Sequence, residues 1–141
     1  MTPQRRANFQ RLLKPRHIVF IGGRYAIIAI DEARRRGFDG DMIAVNPTRT
    51  NLAGVPCVSS IEDLPIVPDA VYLAIPADDV VESIRSLAKL GTGGVVCFSA
   101  GFKEAGNSQL EKDLVEATGD MALIGPNCYG LINYIDNSAL W

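Results

Sequence analysis

The chain has 141 residues, a net charge of −2, 48% hydrophobic residues and 21% charged residues, which is the size and composition of one globular domain that buries a core without metal or disulfide staples. Disordered, collagenous and coiled-coil chains are excluded, and no apolar run approaches the roughly 20 residues of a membrane span. Met1-Thr2-Pro3-Gln4-Arg5-Arg6 leads into no apolar leader before Lys14-Pro15-Arg16, so the expected location is cytoplasmic, away from membranes.

His17-Ile18-Val19-Phe20-Ile21 is a continuous apolar run ending at Gly22-Gly23. It predicts a strand covered on both faces. Residues 25–36 predict a helix containing Ile27, Ile28, Ala29, Ile30 and Ala33, closed by Arg34-Arg35-Arg36 and Gly37. Met42-Ile43-Ala44-Val45 predicts a second strand, stopped by Asn46-Pro47, followed by a loop to Ser59-Ser60. Ile61 to Leu64 predicts one turn with Ser60 as N-cap. Ala70–Ile75 predicts a third strand ended by Pro76. Asp78–Lys89 predicts a helix buried through Val80, Val81, Ile84, Leu87 and Ala88 and closed by Gly91. Gly94–Ser99 predicts a fourth strand. A helix from Asn107 or Ser108 to Ala117 buries Leu110, Leu114 and Val115, and Met121–Ile124 predicts a fifth strand before Gly125-Pro126-Asn127-Cys128. This alternation predicts an α/β chain: a Rossmann-like, doubly wound parallel sheet of about five strands in three layers, α/β/α.

Residues 1–40 hold nine Lys/Arg and three acids, and the remainder five Lys/Arg and thirteen acids. The basic end is either a set of solvated helix faces or part of an anion site. A pI near 5.3 and the absence of basic-aromatic motifs argue against nucleic acid. Cys57, Cys97 and Cys128 form no C-x-x-C pair, and His17 is the only histidine; no metal site or disulfide framework is expected.

In doubly wound sheets ligands bind beyond the carboxyl ends of the strands. Here those ends are Gly22-Gly23, Asn46-Pro47, Pro76-Ala77, Ser99-Ala100-Gly101 and Gly125-Pro126-Asn127. The turn Gly22-Gly23-Arg24-Tyr25 stands where such folds place phosphate, although G-x-G-x-x-G is absent. Arg24 either pairs with a phosphate or stands in solvent. An NAD site wants a carboxylate at the end of the second strand. The chain instead has Val45-Asn46-Pro47, then Arg49, a cation suited to a ribose carrying an extra phosphate, as in NADP or coenzyme A, or else a solvated loop residue.

Gly22-Gly23, Val45-Asn46-Pro47, Gly54, Ser60-Ile61-Glu62-Asp63-Leu64-Pro65, Asp69, Ile75-Pro76-Ala77, Ser99-Ala100-Gly101-Phe102-Lys103-Glu104 and Gly125-Pro126-Asn127-Cys128-Tyr129-Gly130 follow in order. Over residues 9 to 134 the chain resembles the N-terminal CoA-binding domain of NDP-forming acyl-CoA synthetases. These are also called ADP-forming acetate–CoA ligases and are related to the succinyl-CoA synthetase α subunit. The resemblance implies coenzyme A as ligand. Gly22, Gly23, Arg24 and Tyr25 would lie at the diphosphate, and Val45, Asn46 and Pro47 at the ribose and adenine. Ser60, Pro76 and Ala77 would line the adenine side. Gly125, Pro126, Asn127 and Cys128 would approach the pantetheine. The family usually has Lys directly after Asn-Pro; here Thr48 and then Arg49 follow, and Arg49 is expected to take the ribose phosphate. The family's turn is typically Gly-Ala-Ser with a further Gly, whereas this chain has Gly-Gly-Arg and no further Gly before Gly37.

The resemblance implies the reaction acid + CoA + NTP ⇌ acyl-CoA + NDP + phosphate, through an acyl phosphate and a phosphohistidine. The active histidine belongs to a following flavodoxin-like domain, and an ATP-grasp unit holds the nucleotide. His17 begins the first strand, at the end opposite the ligand, and reads as structural; no catalytic residue is assigned. Cys128 is either a packing residue or a redox-sensitive thiol, and Glu104 either contacts a neighbouring domain or is a solvated acid. The apolar ending Leu140-Trp141 suggests one module, 1–141, at the N-terminal part of a larger ligase whose other domains would be its partners, with a homo-oligomer left open. The alternatives are a stand-alone CoA-binding regulatory protein and an NAD(P)-binding oxidoreductase or redox-sensor domain.

Overall fold

Ile18, Val19, Phe20 and Ile21 are buried in succession, as a strand must be when helices cover both faces of its sheet. The structure, a computed structural model, describes residues 1–141. Its elements in chain order are α1 (Pro3–Leu13), β1 (His17–Gly22), α2 (Arg24–Arg35), β2 (Asp41–Val45), β3 (Asn51–Leu52), β4 (Val55–Val58), β5 (Ala70–Ala74), α3 (Ala77–Leu90), β6 (Gly94–Cys97), α4 (Ser108–Thr118), β7 (Ala122–Ile124), β8 (Leu131–Asn133) and β9 (Ser138–Leu140). Single 3-10 turns occupy Ile61–Asp63 and Lys103–Ala105.

Seven strands form one sheet in the order β3-β4-β2-β1-β5-β6-β7, and β8 and β9 form a separate hairpin. All pairings in the large sheet are parallel except β3 with β4 at one edge. The five predicted strands are β1, β2, β5, β6 and β7. Alternate side chains enter two cores. Ile18, Phe20, Ala44, Ala70, Tyr72 and Val96 pack with Leu12 of α1, with Ala26, Ala29, Ile30 and Ala33 of α2, and with Leu140 of β9. Val19, Ile21, Val71, Leu73, Val95 and Cys97 pack with Val80, Val81, Ile84 and Leu87 of α3 and with Leu114 of α4. The result is the expected three-layer, Rossmann-like α/β/α arrangement. No helix is long and apolar enough to cross a membrane.

Three expectations need correction. The sheet has seven strands rather than about five, because the stretch read as a loop after Asn46-Pro47 folds into β3 and β4. They join through Ala53 and Gly54, both at positive φ, and Pro56 breaks the apolar alternation that would have signalled β4. Val115 is 59% exposed rather than buried; α4 turns only Leu114 and Thr118 fully inward. Ser60 stands at the start of its 3-10 turn, but its hydroxyl donates to the Asp63 carboxylate at 2.9 Å instead of capping the backbone. Leu140 is fully buried, and the Trp141 ring lies 6.4 Å from that of Tyr129.

Helix α1 escaped the sequence reading because it has almost no apolar face: only Asn8 and Leu12 are buried. Thr2 accepts from the Arg5 amide at 3.0 Å as N-cap, with Pro3 in the first turn. Polar contacts dock the helix. Asn8 donates to the Asp120 carbonyl at 3.0 Å, and Arg5 to the Gly119 carbonyl at 3.1 Å. Arg11 donates to Asp69 Oδ1 at 2.8 Å, to the Pro68 carbonyl at 2.9 Å and to the Gly91 carbonyl at 2.8 Å. The Arg16 amide donates to the second Asp69 oxygen at 2.9 Å.

Much of the basic first quarter is therefore structural. Lys14 pairs with Asp136, Arg34 with Asp31, and Arg35 and Arg36 with Glu32. Arg34 also donates to the Ala53 carbonyl in the β3–β4 turn.

Burial alone would raise the Asp69 pKa. The Arg11 and Arg16 hydrogen bonds, with the charges of both guanidiniums, outweigh it and hold the carboxyl below the ordinary carboxylate value. The group's folded pKa lies below its unfolded value near ~3.9, so its contribution is complete above that pH and fades as pH falls through the folded pKa. Asp69→Asn is expected to cost about 2 kcal/mol at neutral pH, and the wild-type advantage to shrink below about pH 4. Urea unfolding of both proteins at pH 7 and pH 3 measures this; an equal loss at the two pH values contradicts it.

Candidate functional site

The parallel register sets every carboxyl end on one edge of the sheet. Val58 of β4 stands beside Val45 of β2, Val45 beside Ile21 of β1, Gly22 beside Ala74 of β5, Leu73 beside Cys97 of β6, and Val96 beside Ile124 of β7. Every predicted site residue follows one of these ends. Gly22 and Gly23 end β1, and Arg24 and Tyr25 open α2. Val45, Asn46, Pro47 and Arg49 end β2, Ser60 follows β4, Pro76 and Ala77 join β5 to α3, and Asn127 and Cys128 follow β7. His17 lies at the opposite edge, its Nδ1 3.1 Å from Asp41 Oδ2. This chain therefore brings no histidine to the site.

From β1 the chain moves outward to β2, β4 and β3, then returns to the other side of β1 as β5. The crevice at this reversal is the ligand position of doubly wound sheets. It is narrow at its base. Gly22 has φ +143°, and a Cβ there would meet the Ala74 carbonyl oxygen.

Helix α2 starts there with Gly23 as N-cap, no capping side chain and no acid in its first turn. Its first amides and the positive end of its dipole are open to an anion. Helix α3 starts beside it but carries Asp78 and Asp79 in its first turn, which repel one. Electrostatics thus favours α2.

Asn46 shapes the neighbouring loop. Its Nδ2 donates to the Gly22 carbonyl at 2.9 Å. Its Oδ1 accepts from the Thr48 amide at 3.0 Å, the Thr48 hydroxyl at 3.1 Å and the Arg49 amide at 3.1 Å. One side chain therefore sets where Pro47, Thr48 and Arg49 stand relative to β1. Arg24 and Arg49 are exposed. Arg49 also lies close enough to β4 to act on Cys57: burial raises that thiol's pKa and the guanidinium charge offsets part of the rise.

On the other side Ser99 ties three strand ends together. Its hydroxyl accepts from the Ile75 amide at 3.1 Å, and its carbonyl from the Asn127 amide at 2.9 Å. Cys128 is half-buried, its amide bonded to the Cys97 carbonyl at 3.3 Å and its thiol 3.7 Å from the Gly130 carbonyl. Burial pushes the neighbouring Cys97 thiol up to about 11. Glu104 serves its own loop: Oε1 accepts from the Gly101 amide at 2.5 Å and the Phe102 amide at 3.1 Å. The Gly101 amide, its own amide and that of Phe102 hold its pKa below the usual range.

The sequence reading missed the bracing role of Ser99, which was visible only as a small residue at a strand end. It also missed an aromatic cluster. The Tyr25 and Phe98 rings are 4.6 Å apart, and Phe98 lies 6.5 Å from Tyr129. No periodicity relates residues 25, 98 and 129; the sheet order brings them together.

An uncapped helix start, the exposed Arg49 beyond β2 and the lack of a carboxylate at the β2 end thus lie along one edge of the sheet. The family described as CoA binding domain matches residues 16–134. The chain belongs to this CoA-binding domain family. It is 37% identical over 139 residues to trans-feruloyl-CoA synthase FCS1 from an unknown prokaryotic organism, an alignment covering 92% of this chain and 20% of that protein. It is 38% identical over 102 residues to acetate–CoA ligase (ADP-forming) I of Archaeoglobus fulgidus, covering 70% of this chain and 15% of that one. Among solved structures, the acetyl-coenzyme A synthetase 1 of Ca. Korarchaeum cryptofilum, in complex with phosphate and ADP, superposes with a TM-score of 0.87 at 28% identity. That match covers 92% of this chain and 30% of that chain. The chain thus spans a fifth or less of the length of these two curated relatives.

The close approach of β1 and β5 makes a definite demand on the sequence. Gly22→Ala is expected to destabilise the CoA-binding domain by about 3 kcal/mol, from positive-φ strain and displacement of the Ala74 carbonyl. Thermal unfolding measures it, and a midpoint within 2 °C of wild type would contradict the close contact.

Proposed function

We propose that this domain is the coenzyme A module of a larger NDP-forming acyl-CoA synthetase acting in the cytoplasm. Bound CoA lies along the carboxyl edge of the sheet. Its diphosphate sits at the open start of α2 with Gly22, Gly23, Arg24 and Tyr25. Its ribose phosphate meets Arg49, and the adenine lies beside Val45, Asn46, Pro47, Ser60, Pro76 and Ala77. The pantetheine runs toward Asn127 and Cys128. The observation that carries the reading is the pairing of an uncapped, acid-free helix start with a cation, not a carboxylate, after β2.

The ligase reaction, acid + CoA + NTP ⇌ acyl-CoA + NDP + phosphate, rests on the named activities of the relatives. With His17 at the far edge, this domain presents the thiol, and a histidine-bearing flavodoxin-like domain and an ATP-grasp domain complete the chemistry. The relatives named for feruloyl-CoA, acetate and 4-hydroxybutyrate share the domain, so membership alone selects no acyl group.

Calorimetry with CoA, dephospho-CoA and NADPH tests the placement. Wild type should bind CoA in preference to NADPH. Arg49→Ala should weaken CoA about tenfold while changing dephospho-CoA less than twofold, because the lost contact is a charge-assisted one to the ribose phosphate. Equal losses refute the role of Arg49; binding of NADPH without CoA refutes the reading as a whole.

A further inference from the structure

We propose that Phe98, Tyr129 and Trp141 form a shelf that holds an aromatic acyl group on the CoA thioester, with Tyr25 at the diphosphate end of the same ring series; this rests on the CoA placement above and names the substrate class. The rings form a connected series. Buried Tyr72 lies 6.1 Å from Phe98, which is 4.6 Å from Tyr25 and 6.5 Å from Tyr129 in an edge-to-face arrangement. Tyr129 lies 6.4 Å from Trp141 with the ring planes 30° apart. The inner rings belong to the core, while Tyr129 is 77% exposed, Tyr25 49% and Trp141 47%. Large exposed apolar side chains scattered singly are ordinary, but several in one contiguous group mark a binding surface.

Position decides what that surface binds. Arg49, the candidate for the ribose phosphate, lies beyond β2 and beside β4, on one side of the central β1. Phe98 and Tyr129 follow β6 and β7, on the other side. A CoA laid across the strand ends with its phosphates at α2 therefore brings its thiol end, not its adenine, to the shelf. Cys128, the neighbour of Tyr129, stands at the same end.

Ring chemistry narrows the class. A planar conjugated acyl group gains offset or edge-to-face contact with Tyr129 and Trp141, and such contacts exceed what burial of apolar area alone supplies. An acetyl group is too small to reach across rings separated by 6.4 Å.

The test is calorimetric titration of the 141-residue chain with acetyl-CoA, hexanoyl-CoA and cinnamoyl-CoA. Cinnamoyl-CoA should bind about tenfold more tightly than acetyl-CoA, and hexanoyl-CoA, with similar bulk but no ring, should fall clearly short of it. In Tyr129→Leu, and separately in Trp141→Ala, the cinnamoyl-to-acetyl ratio should drop below about threefold. Both residues are exposed, so folding survives and circular dichroism confirms it. A wild-type ratio near one, equal gains for hexanoyl-CoA and cinnamoyl-CoA, or an unchanged ratio in both variants overturns the proposal. So does an equal loss for all three thioesters in Tyr129→Leu, which would assign the shelf to CoA itself. Failure of CoA and every thioester to bind at millimolar concentration would instead overturn the CoA placement on which the shelf depends.

Discussion

Gly22 and Ala74 meet where β1 and β5 lie side by side, and the rest of the site follows from that contact. The two strands are adjacent, but the helices that follow them leave for opposite faces: α2 into the core with Phe20 and Tyr72, α3 into the core with Val19 and Val71. The departure opens a crevice above a tightly closed base. Only a residue without Cβ can stand at Gly22. The start of α2 is consequently held next to the sheet edge with its amides directed at whatever occupies the crevice.

The charges sort by function around that point. The cations of the first quarter that bond within the protein do so to lock α1, the β3–β4 turn or the end of α2. Asp69 is paired by two of them, the half-buried Arg11 and the exposed Arg16, and their bonds and charges hold its carboxyl below the ordinary carboxylate value. Arg24 and Arg49 remain exposed at the carboxyl edge of the sheet. Asp78 and Asp79 at the start of α3 leave α2 as the one of the two adjacent helix starts that is hospitable to phosphate.

The central strands were legible because continuous burial on two faces produces apolar runs that have no other economical explanation: His17–Ile21, Ala70–Ile75 and Gly94–Ser99 read directly as β1, β5 and β6. Elements stabilised by other means were not. Helix α1 has a low apolar content and docks through Asn8 and Arg11, so it has no hydrophobic period to read. Strand β4 is interrupted by Pro56. The hairpin β8–β9 is short, and it depends on Leu140 reaching the core beside α2 and on Asn133 and Ser138 bonding the Leu13 carbonyl. Val115 shows the reverse error. Its spacing fits the apolar face of α4, but the helix is rotated so that Leu114 takes the inward place.

The sequence by itself determined the layered α/β architecture, the strand ends that line the carboxyl edge of the sheet and the membership expressed by their ordered motifs, because each depends on local composition or on residues close together in the chain. Only the tertiary structure decided that Asn46 shapes its loop rather than facing outward freely, that Ser99 ties three strands, that Glu104 is occupied by its own backbone, and that Tyr25, Phe98, Tyr129 and Trp141 share one surface. Glu104 bonds amides only two and three positions away, but the bond of Asn46 to Gly22, those of Ser99 to Ile75 and Asn127, and the ring contacts join residues far apart in the chain. They come into being when the strand order places β1 beside β5 and β5 beside β6, and a one-dimensional pattern carries no record of that order.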